Sequence, residues 1–328
     1  MYRAFYQLKD EPFRLTPDPR YLHLSGPHQA ALTALLGGIF YRKGLVMITG
    51  PIGTGKTTLV HTALQVISDK KLDIRSALLF NPVLTRDEFL ETMLAEFEVT
   101  CPATSKPRRL AALHQMLLET HRRGSTAVLF IDEAHLLSPE LLEEIRLLGN
   151  ADTHHGKLLQ IILCGQPELL TMMNRPELSA LKQRIASRAH LRPLSLPETS
   201  AYMAERLHAA GLQGSGPFSL PSVEDIHRYS EGVPRLVNLM CDGCLELGFR
   251  MQRRIIQPDI VEEVAISLGL IQCVPAVEEK PLQKTLTSSA SPRSVGTNSG
   301  PATSTAATEQ KTAVDMLIEA MKHNRAAV

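Results

Sequence analysis

Apolar runs without polar alternation recur along the first 200 residues, and stretches of helical periodicity separate them. Leu45–Thr49 (LVMIT), Ile74–Phe80 (IRSALLF), Ala127–Ile131 (AVLFI) and Leu158–Cys164 (LLQIILC) predict four strands, with His190–Leu194 a short fifth. Between them, Thr57–Ser68, Arg86–Phe97, Leu110–Arg122 and a segment opened by Ser138-Pro139-Glu140 predict helices. An earlier helix is expected from Ser25-Gly26-Pro27 through QAALTALLGGIF, with Pro27 placed where a missing N–H costs nothing. Strands that are apolar on both faces and alternate with helices imply a parallel sheet covered on both sides. The expected fold class is therefore α/β, a doubly wound parallel sheet with its ligand at the carboxyl ends of the strands.

From Glu198 onward the strand signal stops. Glu198–Ala210, Val223–Tyr229, Pro234–Phe249 and Pro258–Leu268 predict helices, punctuated by Gly211, Gly214-Ser215-Gly216 and Gly232. This gives an N-terminal segment plus α/β domain over 1–196 and a small all-helical domain over 197–272. Residues 273–311 lack aromatic side chains and almost all large apolar ones, so they predict a disordered linker. Over 312–328 helical periodicity returns: Val314, Leu317, Ile318 and Met321 share one stripe. That helix frays at the terminus or docks into a partner's groove, and its pattern allows both.

Bulk composition narrows the class only a little. The 35 Lys plus Arg nearly balance 34 Asp plus Glu, so a net charge of +1 gives no global reason to expect nucleic acid or anionic lipid. The opening MYRAFYQLKDEPF lacks the pattern of an export signal, and no run reaches the roughly 20 apolar residues of a spanning helix. A reducing cytoplasm with free thiols follows as the expectation for the five cysteines. Cys241 and Cys244 form a CxxC inside a helical pattern with no second pair to complete a zinc site, so they are expected to be packed helix residues.

Chemistry enters with Gly50-Pro51-Ile52-Gly53-Thr54-Gly55-Lys56-Thr57, a full G-x-x-x-x-G-K-[ST] between a strand and a helix. The glycines let successive N–H groups face phosphates. Lys56 is expected to reach the β- and γ-phosphates of ATP, Thr57 to offer its hydroxyl to Mg2+, and Thr58 to reach the α-phosphate. Asp132 ends a buried strand in VLFIDEAH, where a carboxylate needs compensation that Mg2+ provides. Glu133 beside it can orient and deprotonate an attacking water. The strand at 74–80 lies between the two motifs in sequence, which suggests the P-loop branch with an extra strand between the two motif strands.

Three further features are open on residue evidence alone. Gln166, after the fourth strand, is a γ-phosphate sensor or a turn residue. Arg184 and Arg188 are four apart, on one face of a persisting helix, and are an arginine finger or a solvated pair. Arg235, in Gly232-Val233-Pro234-Arg235, opens a helix from which it can swing over phosphates. His154-His155 and the other histidines show no ligand spacing and are expected on surfaces or loops.

Together these residues resemble an AAA+ ATPase. More narrowly, residues 1–271 resemble the ExeA/GspA-type (general secretion pathway protein A-like) family, through FYQLKDEPFRLTPDPRYLHLS…H, GPIGTGKTTL, LFIDEAHLL, LLEEIRLLGNADT, LLQIILCGQPEL, LKQRI and YSEGVPRLVNLMCD. The resemblance implies Gln166 as sensor 1, Arg184 as the finger, Arg235 as sensor 2 on a helical lid, and Pro17–Leu24 as an adenine-side lining. It also implies a self-associating ATPase, a ring being one form, that drives assembly of a secretion, pilus or exopolysaccharide-export machine. Longer family members continue into a transmembrane helix and a peptidoglycan-binding region; here a linker and a short helix stand instead, so a cytoplasmic ATPase docked through a partner, peripheral to the inner membrane, is expected. Two other functions compete: a DNA-associated ATPase of the transposition target-selector type, weakened by the neutral charge, and a nucleotide-gated scaffold.

Overall fold

The computed structural model describes residues 2–16, 25–101, 105–153 and 156–271. It opens with α1 (Tyr2–Phe5), α2 (Gly26–Phe40), β1 (Leu45–Thr49), α3 (Lys56–Asp69) and β2 (Ile74–Leu79). Next come α4 (Arg86–Glu96), α5 (Lys106–Arg122), β3 (Thr126–Ile131) and α6 (Pro139–Leu148). The two-residue strands β4 (Asp152–Thr153) and β5 (Gly156–Lys157) pair with each other before β6 (Leu159–Gly165), α7 (Glu168–Met173), α8 (Ser179–Lys182) and β7 (Ile185–His190). Four helices close the described chain: α9 (Leu196–Ala209), α10 (Leu220–Ser230), α11 (Pro234–Arg250) and α12 (Pro258–Ser267).

Every residue of β1, β3 and β6 is buried, as a sheet covered on both faces requires. Alternation along each strand sorts the side chains between two cores. Leu45, Met47, Leu129, Ile131, Ile161 and Leu163 pack with Phe89, Met93, Leu117 and Leu142 from α4, α5 and α6. Val46, Ile48, Val128, Phe130 and Ile162 pack with Leu35, Ile39, Leu59 and Val60 from α2 and α3. The five main strands run parallel in the order β2-β3-β6-β1-β7. The strand between the two motif strands is thus β6, which pairs with both β1 and β3. β2, which intervenes in sequence, lies at the edge.

The fifth strand corrects the expectation of His190–Leu194: it occupies Ile185–His190. As an edge strand paired only with β1, it alternates half-buried and exposed residues and lacks the apolar run that marked the others. The helical face expected for Arg184 and Arg188 also disappears. α8 stops at Lys182, Arg184 precedes β7, and Arg188 sits within β7 opposite Met47.

A separate apolar cluster holds α9–α12 together through Met203, Leu207, Ile226, Val237, Met240 and Val261. Tyr6, Leu8 and Phe13 pack into this cluster, not onto the sheet. Arg206 fastens the same segment by donating from Nε to the Pro12 carbonyl (2.6 Å) and from Nη2 to the Arg14 carbonyl (3.1 Å). Hence the N-terminal segment, grouped by its position in the sequence with the α/β domain, packs with the helices. Cys241 and Cys244 are buried in the same cluster, and burial pushes the Cys244 thiol up to about 12 and Cys241 well above its ordinary value. The predicted linker (273–311) and terminal helix (312–328) lie outside the described residues.

Candidate functional site

Where β1 ends, the chain turns through Gly50–Gly55 and enters α3 at Lys56. Gly53 and Gly55 take φ values of +78° and +93°, which favour glycine. Lys56 is buried, and its Nζ donates to the carbonyls of Gly50 (2.8 Å) and Pro51 (2.9 Å). Burial lowers its pKa, opposed by the nearby Glu133 and Asp132 carboxylates.

Opposite the loop, Asp132 follows β3 and is also buried. Thr57 Oγ1 donates to Asp132 Oδ2 at 2.6 Å, and the Glu133 N–H donates to Asp132 Oδ1 at 2.9 Å. A hydroxyl and a buried carboxylate converging from two elements form the oxygen-rich donor pair that suits Mg2+, which takes few protein ligands and keeps several waters. These residues therefore fit the cation that the motif implies.

The loop forms one wall of a cavity of about 380 Å³. Ile52, Gly53, Thr54, Gly55, Lys56, Thr57, Thr58 and Glu133 line it from the sheet side, and Arg235 lines it from the helical side. Lid and loop touch directly: the Arg235 N–H donates to the Gly53 carbonyl at 3.2 Å. A Cβ on Gly53 would lie 2.9 Å from the Arg235 Cβ, so the missing side chain is what lets the two backbones meet. Gly50 and Pro51 stand behind Lys56 as its acceptors.

Gln166, Arg184 and Arg188 line no part of this cavity. Gln166 caps β6, and its backbone N–H donates to His135 Nδ1 at 3.4 Å. Arg184 sits at the start of β7, whose Ile185 pairs with Leu45, at the end of the sheet away from the loop. There it donates to the Arg146 carbonyl (3.2 Å) and to Asn150 Oδ1, and lines a smaller cavity of about 120 Å³ with Lys43, Arg146 and Lys157. Arg188 donates to the Lys182 carbonyl at 3.2 Å. Pro17–Leu24 lies outside the described residues.

Other lining residues were not singled out in the sequence. His28, expected on a surface or loop, is buried at the start of α2. Its Nε2–H donates to the Thr54 carbonyl at 2.8 Å, so Nδ1 accepts from the Ser25 hydroxyl at 2.6 Å. The histidine that closes the N-terminal motif was the available signal. Tyr202, Arg206 and Asn238 form a buried chain on the lid, with Tyr202 OH donating to Asn238 Oδ1 (2.8 Å) and accepting from Arg206 Nη1 (3.0 Å). Tyr202 and Arg206 share one face of α9, and the Tyr202 hydrogen bond reaches from α9 to Asn238 on α11; of the three, Asn238 alone falls within a quoted motif, YSEGVPRLVNLMCD.

Residues 40–173 match the AAA domain family. The chain is 38% identical to general secretion pathway protein A of Aeromonas hydrophila over 79% of its own length and 47% of that protein's. It is 24% identical to an uncharacterised HTH-type transcriptional regulator of Methanocaldococcus jannaschii over 48% of its length and 39% of the regulator's. The chain thus spans less than half the length of these relatives. Cdc6p from Pyrobaculum aerophilum has a similar fold, with a TM-score of 0.62 and 19% identity over 81% of this chain and 73% of that one. So does a chain of Drosophila ORC bound to DNA, at 0.64 and 16% identity, over 83% and 67%.

Proposed function

We propose that this chain, whose residues 40–173 match the AAA domain family and which is 38% identical to general secretion pathway protein A over 79% of its length, binds ATP with Mg2+ and hydrolyses it. The observation that carries this reading is the convergence of Thr57 and Asp132 beside buried Lys56, on a cavity whose wall includes Glu133. The loop from Gly50 to Gly55 wraps the phosphates, Lys56 balances charge on the β- and γ-phosphates, and Thr58 reaches the α-phosphate. Thr57 and Asp132 hold the cation, which when bound neutralises charge on the phosphate oxygens. Glu133 takes a proton from the attacking water as its oxygen bonds to the γ-phosphorus. The bond from that phosphorus to the bridging oxygen breaks, leaving ADP and inorganic phosphate. Arg235 closes the lid side, Gln166 senses the γ-phosphate, and Arg184 serves a neighbouring copy's site.

Replacing Glu133 with Gln tests the reading. ATP binding is retained while turnover falls by about 100-fold or more, the scale of general-base catalysis. Unchanged turnover would overturn the hydrolytic role. In cells the same variant separates a motor from a nucleotide-gated scaffold, because the scaffold keeps working.

The process is the assembly or remodelling of a bacterial secretion, pilus or exopolysaccharide-export machine by a homo-oligomer. The identity to general secretion pathway protein A supports it. Among the described residues no helix is long and apolar enough to cross a membrane, which suits a cytoplasmic protein held near the inner membrane by a partner. Residues 312–328 are the proposed docking segment: their deletion spares ATP turnover and abolishes recruitment, and unchanged recruitment rejects the segment. ATP-dependent retention on DNA that weakens with salt would replace this process with a DNA-associated one.

A further inference from the structure

Glu133 holds an unusual posture. Its backbone is left-handed (φ +49°, ψ +36°), and its Oε2 atom is buried without a hydrogen-bond donor. It faces His135 Nδ1 across 3.4 Å. That same nitrogen accepts the Gln166 N–H, also at 3.4 Å. A ring nitrogen carries either a lone pair or a proton in its plane, so Nδ1 cannot accept from Gln166 and donate to Glu133 at once. With Gln166 donating, Glu133 Oε2 goes without a partner, and a buried carboxylate oxygen is costly to leave so.

We propose that His135 is a positioning residue for Glu133, exchanging one hydrogen bond between the end of β6 and the carboxylate. In the arrangement seen here, Nδ1 is committed to the Gln166 backbone and the Oε2 atom of Glu133 lacks a donor. When the end of β6 moves, Nδ1 is freed, the ring's proton shifts to it, and it fixes the carboxylate by donating to Oε2. His135 thereby reports the position of Gln166, two residues from the buried strand residue Cys164, to the group that activates water. The ring spans the gap because the Glu133 turn brings the next residues back across β6: the His135 N–H lies 3.1 Å from where a Gly165 Cβ would stand.

This role rests on the hydrolytic reading above, and the test separates the two. His135→Ala lowers kcat by about tenfold or more, while KM and the affinity for a fluorescent ATP analogue stay within about twofold. His135→Asn, which can offer a donor near the Nδ1 position, recovers part of the loss. Added to Glu133→Gln, His135→Ala causes no further loss, because it acts only through that carboxylate. In the 15N spectrum of histidine-labelled protein, the signal absent from His135→Ala changes from an unprotonated to a protonated Nδ1 when a non-hydrolysable ATP analogue binds. Wild-type kcat in His135→Ala, or an unchanged Nδ1 signal, overturns the proposal and leaves the hydrolytic reading standing. A parallel fall in kcat, analogue affinity and melting temperature that Asn does not rescue assigns His135 a purely structural role and also overturns it. Absence of turnover in the wild-type chain removes both.

Discussion

Thr57 and Asp132, 75 positions apart, meet through a 2.6 Å hydrogen bond from Oγ1 to Oδ2. The bond joins the first turn of α3 to the end of β3 across β6, the strand that lies between β1 and β3. On the proposed reading a cation takes both oxygens and displaces this contact, so the pair is expected to set the metal requirement. Thr57→Ala keeps ATP binding but raises the Mg2+ concentration for half-maximal turnover by about tenfold, the worth of one charge-assisted contact. Asp132→Asn preserves shape, removes the charge and loses turnover at every Mg2+ concentration. Turnover measured across an Mg2+ series checks both, and an unmoved midpoint in Thr57→Ala would detach that hydroxyl from the metal.

His28 bears on the loop from the other side. Its Nε2–H satisfies the buried Thr54 carbonyl, and Gly55 is close enough that a Cβ there would lie 3.3 Å from the ring. His28→Ala leaves that carbonyl without its donor at a cost of about 1–3 kcal/mol. The nucleotide then binds about 5- to 150-fold more weakly if the loop loosens by that amount. Titration with a fluorescent ATP analogue measures it, and wild-type affinity would reduce His28 to packing.

The contrast between Lys56 and His28 shows what could be read in the sequence. A buried parallel strand is a continuous apolar run, and a phosphate loop is a fixed glycine spacing, so β1, β3, β6 and residues 50–57 announced themselves. β7 did not, because an edge strand needs only one apolar face, and its IASRAH pattern has helical neighbours on the N-terminal side. His28, Tyr202 and Arg206 acquire their roles from contacts at long sequence separation, which no local spacing encodes. For Gln166 and Arg184, a resemblance supplied an expected role where spacing left alternatives.

The lid is anchored by Glu198. Ser195 and Glu198 form a capping box at the start of α9, and Arg192 pairs with the same carboxylate at 2.7 Å. Burial alone would raise its pKa, yet hydrogen bonds from Arg192 and Ser195 lower it from 4.5 to about 2. The folded value is depressed, so its stabilisation is present above the unfolded value and is lost as pH falls from about 4.5 through 2. Glu198→Ala, losing about 1 kcal/mol of cap, melts about 2–4 °C lower at pH 7. Near pH 2 the gap from wild type narrows. A gap independent of pH would mean that the carboxylate charge contributes nothing to the cap.

The join between sheet and lid leaves Gly232 no substitute. It adopts φ +69°, its carbonyl accepts the Leu194 N–H at 2.8 Å, and a Cβ would collide with the Leu194 carbonyl. Gly232→Ala therefore costs strain as well as a clash with backbone that cannot rotate away, about 1–3 kcal/mol for the conformation alone. Because Arg235 begins its contact with Gly53 three residues later, the same variant weakens nucleotide binding along with thermal stability. Melting with and without an ATP analogue tests the link: a shift that the analogue restores fully would confine the damage to the fold.

Arg184 lines no part of the cavity at the Lys56 loop of its own chain and lies at the opposite end of the sheet from Lys56. If it completes a neighbour's site, Arg184→Ala loses turnover and keeps ATP binding, since its own loop is intact. Glu133→Gln fails for the opposite reason, lacking the base while keeping the arginine. In a head-to-tail assembly mixed one to one at random, about a quarter of interfaces join an intact base to an intact arginine. The mixture of two inactive variants therefore recovers turnover, and Arg188→Ala, whose arginine is tied to the Lys182 carbonyl, retains it alone. Mixtures as inactive as their components would leave Arg184 a structural clamp on Arg146 and Asn150.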